Sequence, residues 1–310
     1  MAGKKQHYVP QLYLRRYTEG KESIYVYDKI EQKKYPSVIG DVAAERLFYK
    51  FTEEEVTKIK KKFPNEEISE NLLDDLFTYQ IEPIFQSSLN SIKKGYDSFK
   101  NGESDYVICE DNIFPLALSL AFQYYRTKSY REGAERSKLN FLQYYSKDDE
   151  EFGELRENSE KNRVLEHAIQ IFGKSFRLAK KLKEKYLWIV VENGTNLPLY
   201  SSDSPLILRI FDENGKVAQA IHDIPYEIDE YAFPLTSNLL LIIVKAEEAM
   251  LDIPNHRKTK LINDNKIILS YNEAQLHSSY RQLFCLSDTF EMINGLNTLL
   301  PDRTSTKVII

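Results

Sequence analysis

Cysteine is almost absent: Cys109 and Cys285 are the only two in 310 residues. Two thiols so far apart, with no secretory signal, give no material for a disulfide framework or a zinc cluster. Long apolar runs are missing as well. No stretch of about 18 uncharged apolar residues occurs, and the start, Met1-Ala2-Gly3-Lys4-Lys5-Gln6-His7, lacks the apolar core of a signal peptide. The expected setting is therefore the cytoplasm, with neither export nor membrane spanning. Positive charge is not in excess either. Lys and Arg number 42 against 47 Asp and Glu, a formal net charge of −5, which speaks against binding nucleic acid by bulk electrostatics.

What is present describes a globular chain. Apolar residues make up 42%, charged residues 29%, and the mean hydropathy is −0.48, a balance that excludes whole-chain disorder. The length predicts one large domain or two medium ones. We expect a single compact α+β domain over 1–310, divisible into a mainly helical part with an N-terminal hairpin (1–183) and a mainly sheet part (184–310). Charge is distributed unevenly. Residues 1–65 hold 14 Lys and Arg against 9 Asp and Glu, leaving 28 against 38 for the rest. A mildly basic segment on an acidic body allows a local anionic site. The 21 Tyr and 16 Phe read as core and sheet packing before base stacking.

Residues 23–28 and 35–39 predict a strand hairpin. Apolar residues recur at three- and four-residue steps over 68–99, 112–145 and 150–183, which predicts long helices filling the middle third, the first bent at Pro83. The texture then turns to strands at 186–191, 206–210, 217–221, 239–244, 266–269 and 282–285, with Asn193-Gly194 and Asn214-Gly215 as hairpin turns. A short helix over 272–279 and a closing helix over 289–300 complete the reading. Strands, then helices, then strands fit an α+β fold with segregated layers and a mostly antiparallel C-terminal sheet.

Most chemical motifs fail. Gly173-Lys174-Ser175 imitates the end of a phosphate-binding loop, but Ala168 stands where its first glycine belongs. Asp28 with Glu31 and Lys33 is better read as a polar hairpin than as a nuclease core. Arg163 and His167, four apart on one helix, read as a surface or satisfied pair before an RNA-cleaving motif. No His-Glu-x-x-His, Gly-x-Ser-x-Gly, Cys-x-x-Cys or Gly-x-Gly-x-x-Gly occurs.

Gln6-His7-Tyr8-Val9-Pro10-Gln11-Leu12-Tyr13-Leu14 is unusual, with a polar pair ahead of a proline and an apolar turn. Further on come Gln123-Tyr124-Tyr125-Arg126-Thr127 with Arg131, then Ser202-Asp203-Ser204-Pro205, Pro234-Leu235-Thr236 and the region of Asn272. On these elements the whole chain resembles the family called domain of unknown function 4238, through its His-x-x-Pro, Gln-x-x-Arg-Thr and Ser-Asp-x-Pro signatures. The resemblance brings no reaction with it. Members that look prokaryotic, some near mobile or defence genes, imply a toxin or antiviral defence effector.

Chemistry then rests on the residues. His7 is the leading general acid/base candidate, because only imidazole titrates near neutrality unperturbed, or else it anchors the N-terminus. Gln123 and Arg126 share a helix face, with Arg131 about 140° round from Arg126. Arg126 either binds an anion or pairs with a carboxylate such as Asp203. Asp203 either organises its own turn or orients His7 or Arg126. Glu82 offers a second carboxylate, and Asn272 is expected to cap the short helix first and touch a ligand second.

Two functions stay open. One is an enzyme acting on phosphodiesters or nucleotides without a tightly bound metal or cofactor, an RNase-like effector with RNA or a nucleotide as its partner. In it His7 is the acid or base, Arg126 and Arg131 stabilise phosphoryl charge, Asp203 orients them, and Gln6, Gln123, Arg131, Ser202 and Asn272 contact substrate. The other is a non-catalytic sensor or binding module for a small anionic ligand or a partner protein. A metal held by His7, Asp203 and Glu82 is a further open arrangement.

Overall fold

Lys185 and Tyr186 mark the seam at which helices give way to sheet in the computed structural model, which describes residues 5–211, 217–219, 228–247 and 250–290. The helices are α1 (Gln11–Leu14), α2 (Glu53–Lys62), α3 (Leu72–Leu76), α4 (Glu82–Lys100), α5 (Glu110–Tyr125), α6 (Lys128–Tyr145), α7 (Asp149–Lys161), α8 (Arg163–Lys185) and α9 (Asn265–Ser278). The strands are β1 (Lys5–His7), β2 (Ser23–Asp28), β3 (Lys33–Val38), β4 (Ala44–Arg46), β5 (Tyr186–Asn193), β6 (Ser201–Ser202), β7 (Ile207–Phe211), β8 (Val217–Gln219), β9 (Glu230–Pro234), β10 (Leu239–Lys245), β11 (Thr259–Ile262) and β12 (Gln282–Cys285).

The α+β layout is as expected, with the helices in the middle and the sheets largely in the C-terminal half. Helix α5 is its axis: Ile113, Leu116, Ala117, Leu120, Ala121 and Phe122 are buried around most of its circumference, which an amphipathic surface helix would not show. Trp188 ties the layers together, fully buried and donating its Nε1–H to the carbonyl of Leu182 at 3.1 Å.

Each predicted long helix is interrupted. Over 68–99 the helical run is divided at residues 77–81, ahead of Pro83. That proline lies in the first turn of α4, where its missing N–H costs nothing, and the irregularity is a π-helical turn just before it, Phe77–Ile81. Over 112–145 the chain stops after Tyr125 and restarts at Lys128, because the Thr127 hydroxyl accepts the Tyr130 N–H at 3.3 Å and caps α6. Over 150–183 the break falls at Asn162, between α7 and α8.

Three sheets follow. The largest runs β11-β5-β10-β9-β7-β8, antiparallel except where β11 joins β5. Asn193-Gly194 does not turn β5 back onto the next strand. Its partners are β10 and β11, and the Asn193 carboxamide instead accepts the Thr195 N–H at 3.0 Å. β7 and β8 pair as predicted, while Asn214-Gly215 and residues 220–221 lie outside the described residues. Residues 266–269, read as a strand, belong to α9, a short apolar run being ambiguous until its packing is known. The closing helix read over 289–300 lies outside the described residues beyond Phe290. The four-stranded sheet, β3-β2-β12-β6, inserts β12 between the N-terminal hairpin and β6, and β1 pairs with β4.

Candidate functional site

The N-terminal segment is laid across the end of α5, and four predicted residues meet there. Gln123 donates to the carbonyl of Tyr8 at 3.0 Å and Gln6 accepts the Tyr49 N–H at 2.6 Å. Arg126, 2% exposed, answers with all three nitrogens: Nη1 and Nη2 to Glu82 Oε1 at 3.0 and 3.1 Å, Nη2 to the His7 carbonyl at 2.6 Å, and Nε to the Tyr49 hydroxyl at 3.3 Å. Its guanidinium also lies 4.1 Å from the centre of the Phe77 ring. The π-helical turn accounts for this pairing, since Phe77 opens it and Glu82 follows it. Arg126 therefore takes Glu82 as its carboxylate and not Asp203.

His7 is only half-buried, and its Nε2 lies 3.4 Å from Gln11 Nε2. Burial pushes its imidazole below the usual range, helped by the Arg126 charge and opposed by the Ile39 backbone and Asp74. At neutral pH the ring is uncharged. A groove of about 310 Å³ lies nearby, lined by Gln6, Lys50, Glu70, Asn71, Asp74 and Asp75, and His7 is not part of its wall.

Asp203, Ser202 and Asn272 form a second cluster. The fully buried Asp203 carboxylate accepts three backbone N–H groups, from Tyr280 and Arg281 at 2.8 Å and Gln282 at 2.9 Å. It clamps the turn between α9 and β12, and reaches neither His7 nor Arg126 with a hydrogen bond. Burial raises this carboxyl, with the three amides and Lys29 pulling the other way. Ser202 Oγ accepts from Gln275 Nε2 and from the Ser204 N–H. Asn272 is not a cap. Asp264 caps α9, and Asn272 sits buried inside the helix, accepting the Tyr200 N–H and donating to the Pro198 carbonyl, both at 2.8 Å. The clusters touch through one relay, Tyr8 N–H to Ala43 carbonyl, Ala43 N–H to Gln282 Oε1, and Gln282 N–H to Asp203. Among the described residues no three His, Cys, Asp or Glu side chains are placed to hold a metal, so His7, Asp203 and Glu82 do not assemble into a ligand set.

Arg131 goes elsewhere. The break at Thr127 carries it away from Arg126, and Phe48 and Tyr49 part the two: Arg131 lies 3.4 Å from the Phe48 ring centre, Arg126 5.7 Å from that of Tyr49. Arg131 Nη1 donates to the Phe48 carbonyl at 2.8 Å, but its buried Nε has no partner among the described residues. It lines a small cleft between α6 and α8, with about 20 Å³ of free space, together with Glu135, Lys138, Arg163, Glu166 and His167.

Two further residues lining this cleft each hold a buried atom, Arg163 Nε and His167 Nδ1, without a partner among the described residues. Burial and the charges of Arg131 and Arg163 push the His167 imidazole down to about 3. Burial and Arg163 lower Arg131 to about 10, so it remains charged at neutral pH. The sequence reading set Arg163 and His167 aside as a surface or satisfied pair. Their four-residue spacing was a visible signal, but burial of His167 to 3% exposure was not.

The fold and these clusters define an α+β protein whose N-terminal segment is fastened by buried polar side chains between a helical layer and the sheets. The chain belongs to the family described as "Protein of unknown function (DUF4238)", which it matches over residues 5–289. No curated protein and no solved structure matches it.

Proposed function

We propose that this protein is a binding module for a small anionic ligand, held in the cleft between α6 and α8. One observation carries the reading: three buried polar atoms on three side chains of one cleft, Arg131 Nε, Arg163 Nε and His167 Nδ1, lack partners among the described residues. An unmet buried polar atom costs about 1–3 kcal/mol, so three of them on residues of one cleft mark a place where a polar group from a ligand would be held. Charge supports the same view. Glu135 pairs with Arg163 at 2.8 Å and Glu166 with Lys138 at 2.5 Å, but Arg131 has no carboxylate partner among the described residues. The free space admits one oxygen-sized group, the rest of the ligand lying at the mouth. Isothermal titration with inorganic phosphate and a set of nucleotides tests this. Binding that Arg163→Gln weakens at unchanged melting temperature supports it, and no binding by any member of the set overturns it.

A second reading keeps the enzyme. The neutral, half-buried His7 imidazole beside the buried Arg126 cation suits a general base in phosphodiester or nucleotide chemistry, as in an RNase-like effector of prokaryotic defence. The three carboxylates of the neighbouring groove work against a polyanionic substrate entering there. Incubating wild type and His7→Ala with total RNA, tRNA, plasmid DNA and nucleotides, with and without EDTA, decides it. Turnover that His7→Ala loses and EDTA spares is the expected result, and silence on every substrate removes the reading.

A further inference from the structure

Resting on the reading that the α6–α8 cleft takes an anion, we propose that it selects an anion still carrying a proton, a hydrogen phosphate, and rejects sulfate of the same size and charge. The argument starts from one hydrogen bond. His167 Nε2 lies 2.8 Å from the carbonyl oxygen of Tyr125. A carbonyl only accepts, so the ring proton sits on Nε2 and the other nitrogen, Nδ1, presents a lone pair. Flipping the ring would break the Tyr125 bond. The ring is also packed between Tyr49 and Tyr130, nearly parallel to both at 20° and 26°, with Phe48 set edge-on at 87°. Its orientation is thereby held.

Among the residues that line the cleft, the buried atoms without partners among the described residues are thus two donors, the Nε–H groups of Arg131 and Arg163, and one acceptor, His167 Nδ1. Arg131, Glu135 and Lys138 from α6 and Arg163 and Glu166 from α8 are the charged groups lining it, with Glu132 of α6 lying 3.9 Å from Arg163 and acting with Glu45 on Arg131, and Arg126 acting from the end of α5. They leave the imidazole neutral across the physiological range. Sulfate brings only acceptor oxygens and would set a lone pair against a lone pair. Hydrogen phosphate satisfies all three positions with the one group the free space admits: its P–OH oxygen accepts from the two arginines and donates its proton to His167, the other oxygens staying at the mouth. A phosphomonoester carries that proton only below its second pKa of about 6 and loses it above.

The test uses the full-length wild-type chain in calorimetric titrations at about pH 8, with inorganic phosphate and sulfate as probes. Phosphate is expected to bind at least about tenfold more tightly, the effect of one unmet buried polar group. Equal affinity for both overturns the proton selection and leaves the anion site standing. Binding of neither overturns the anion site itself and assigns the cleft to a water molecule. A phosphomonoester probe should bind more tightly at about pH 5.5 than at pH 8, and the opposite order counts against the proposal. Arg163→Gln locates the site: its affinity for phosphate should fall about tenfold, and an unchanged affinity places the anion elsewhere and overturns the assignment.

Discussion

Arg126 and Arg131 stand five residues apart, both buried, and they live in opposite circumstances. Around Arg126 every guanidinium nitrogen is answered, by Glu82, by the His7 carbonyl and by the Tyr49 hydroxyl. Around Arg131 Nη1 is answered by the Phe48 carbonyl and Nε by nothing among the described residues, and two residues lining its cleft each hold a buried atom in the same condition. A buried cation with matched partners is a fastener, because breaking the match costs more than the match gained. A buried cation with unmatched donors holds free energy that a bound ligand or a buried water can recover. On this comparison the joint between β1 and α5 is architecture and the α6–α8 cleft is the place to look for function.

The largest expected effect would come from cutting the fastener. Arg126→Ala leaves Glu82 and the His7 carbonyl unpaired and should lower stability by about 3–5 kcal/mol, read from the denaturant midpoint. A loss below about 1 kcal/mol would erase the contrast with Arg131. Next comes Asp203→Asn, which sets an amide –NH₂ against backbone N–H groups that need an acceptor. It should cost about 1–3 kcal/mol, and an unchanged melting temperature would free Asp203 for a role at a ligand.

The cleft should show itself in acid. Unfolded His167 takes up a proton near 6.5, while the folded ring resists until about 3. In that window the unfolded state binds more protons, so the contribution is complete above 6.5 and is lost as pH falls, by at most about 1.4 kcal/mol per unit. His7 shifts in the same direction. Denaturation at several pH values should show a slope that His167→Phe flattens, and equal slopes would show that His167 is not held neutral. The smallest effect on stability belongs to Arg163→Gln. Its side chain is 40% exposed, so the loss should stay under about 1 kcal/mol. A loss as large as that of Arg126→Ala would place both regions in the same structural class.

Much of the fold was legible because it rests on periodicity. Helical spacing in the middle third and β-rich runs after residue 185 are averages over many residues, and they survived local errors. The errors fell on single residues. Thr127 stopped a helix whose apolar pattern ran on, and residues 266–269 joined α9 because a four-residue run fits a strand or a helix equally well. The site was legible in part. Gln6, His7, Gln123 and Arg126 do meet, whereas Asp203 and Asn272 spend their hydrogen-bonding capacity on backbone far along the chain, Asp203 on residues 280–282 and Asn272 on Pro198 and Tyr200, which no local pattern announces. Arg163 and His167 carried a readable spacing and no readable burial.

Composition and pattern alone determined that this chain folds as a helical layer with sheet behind it and that polar residues of a recognisable family set punctuate it. Only the tertiary structure decided which of those residues are fasteners. The physical reason is that a hydrogen bond is a property of a pair. Donor and acceptor types are written in the sequence, but whether each finds its partner depends on neighbours far along the chain, such as Glu82 for Arg126, or on a partner that the fold leaves out, as at Arg131 and His167.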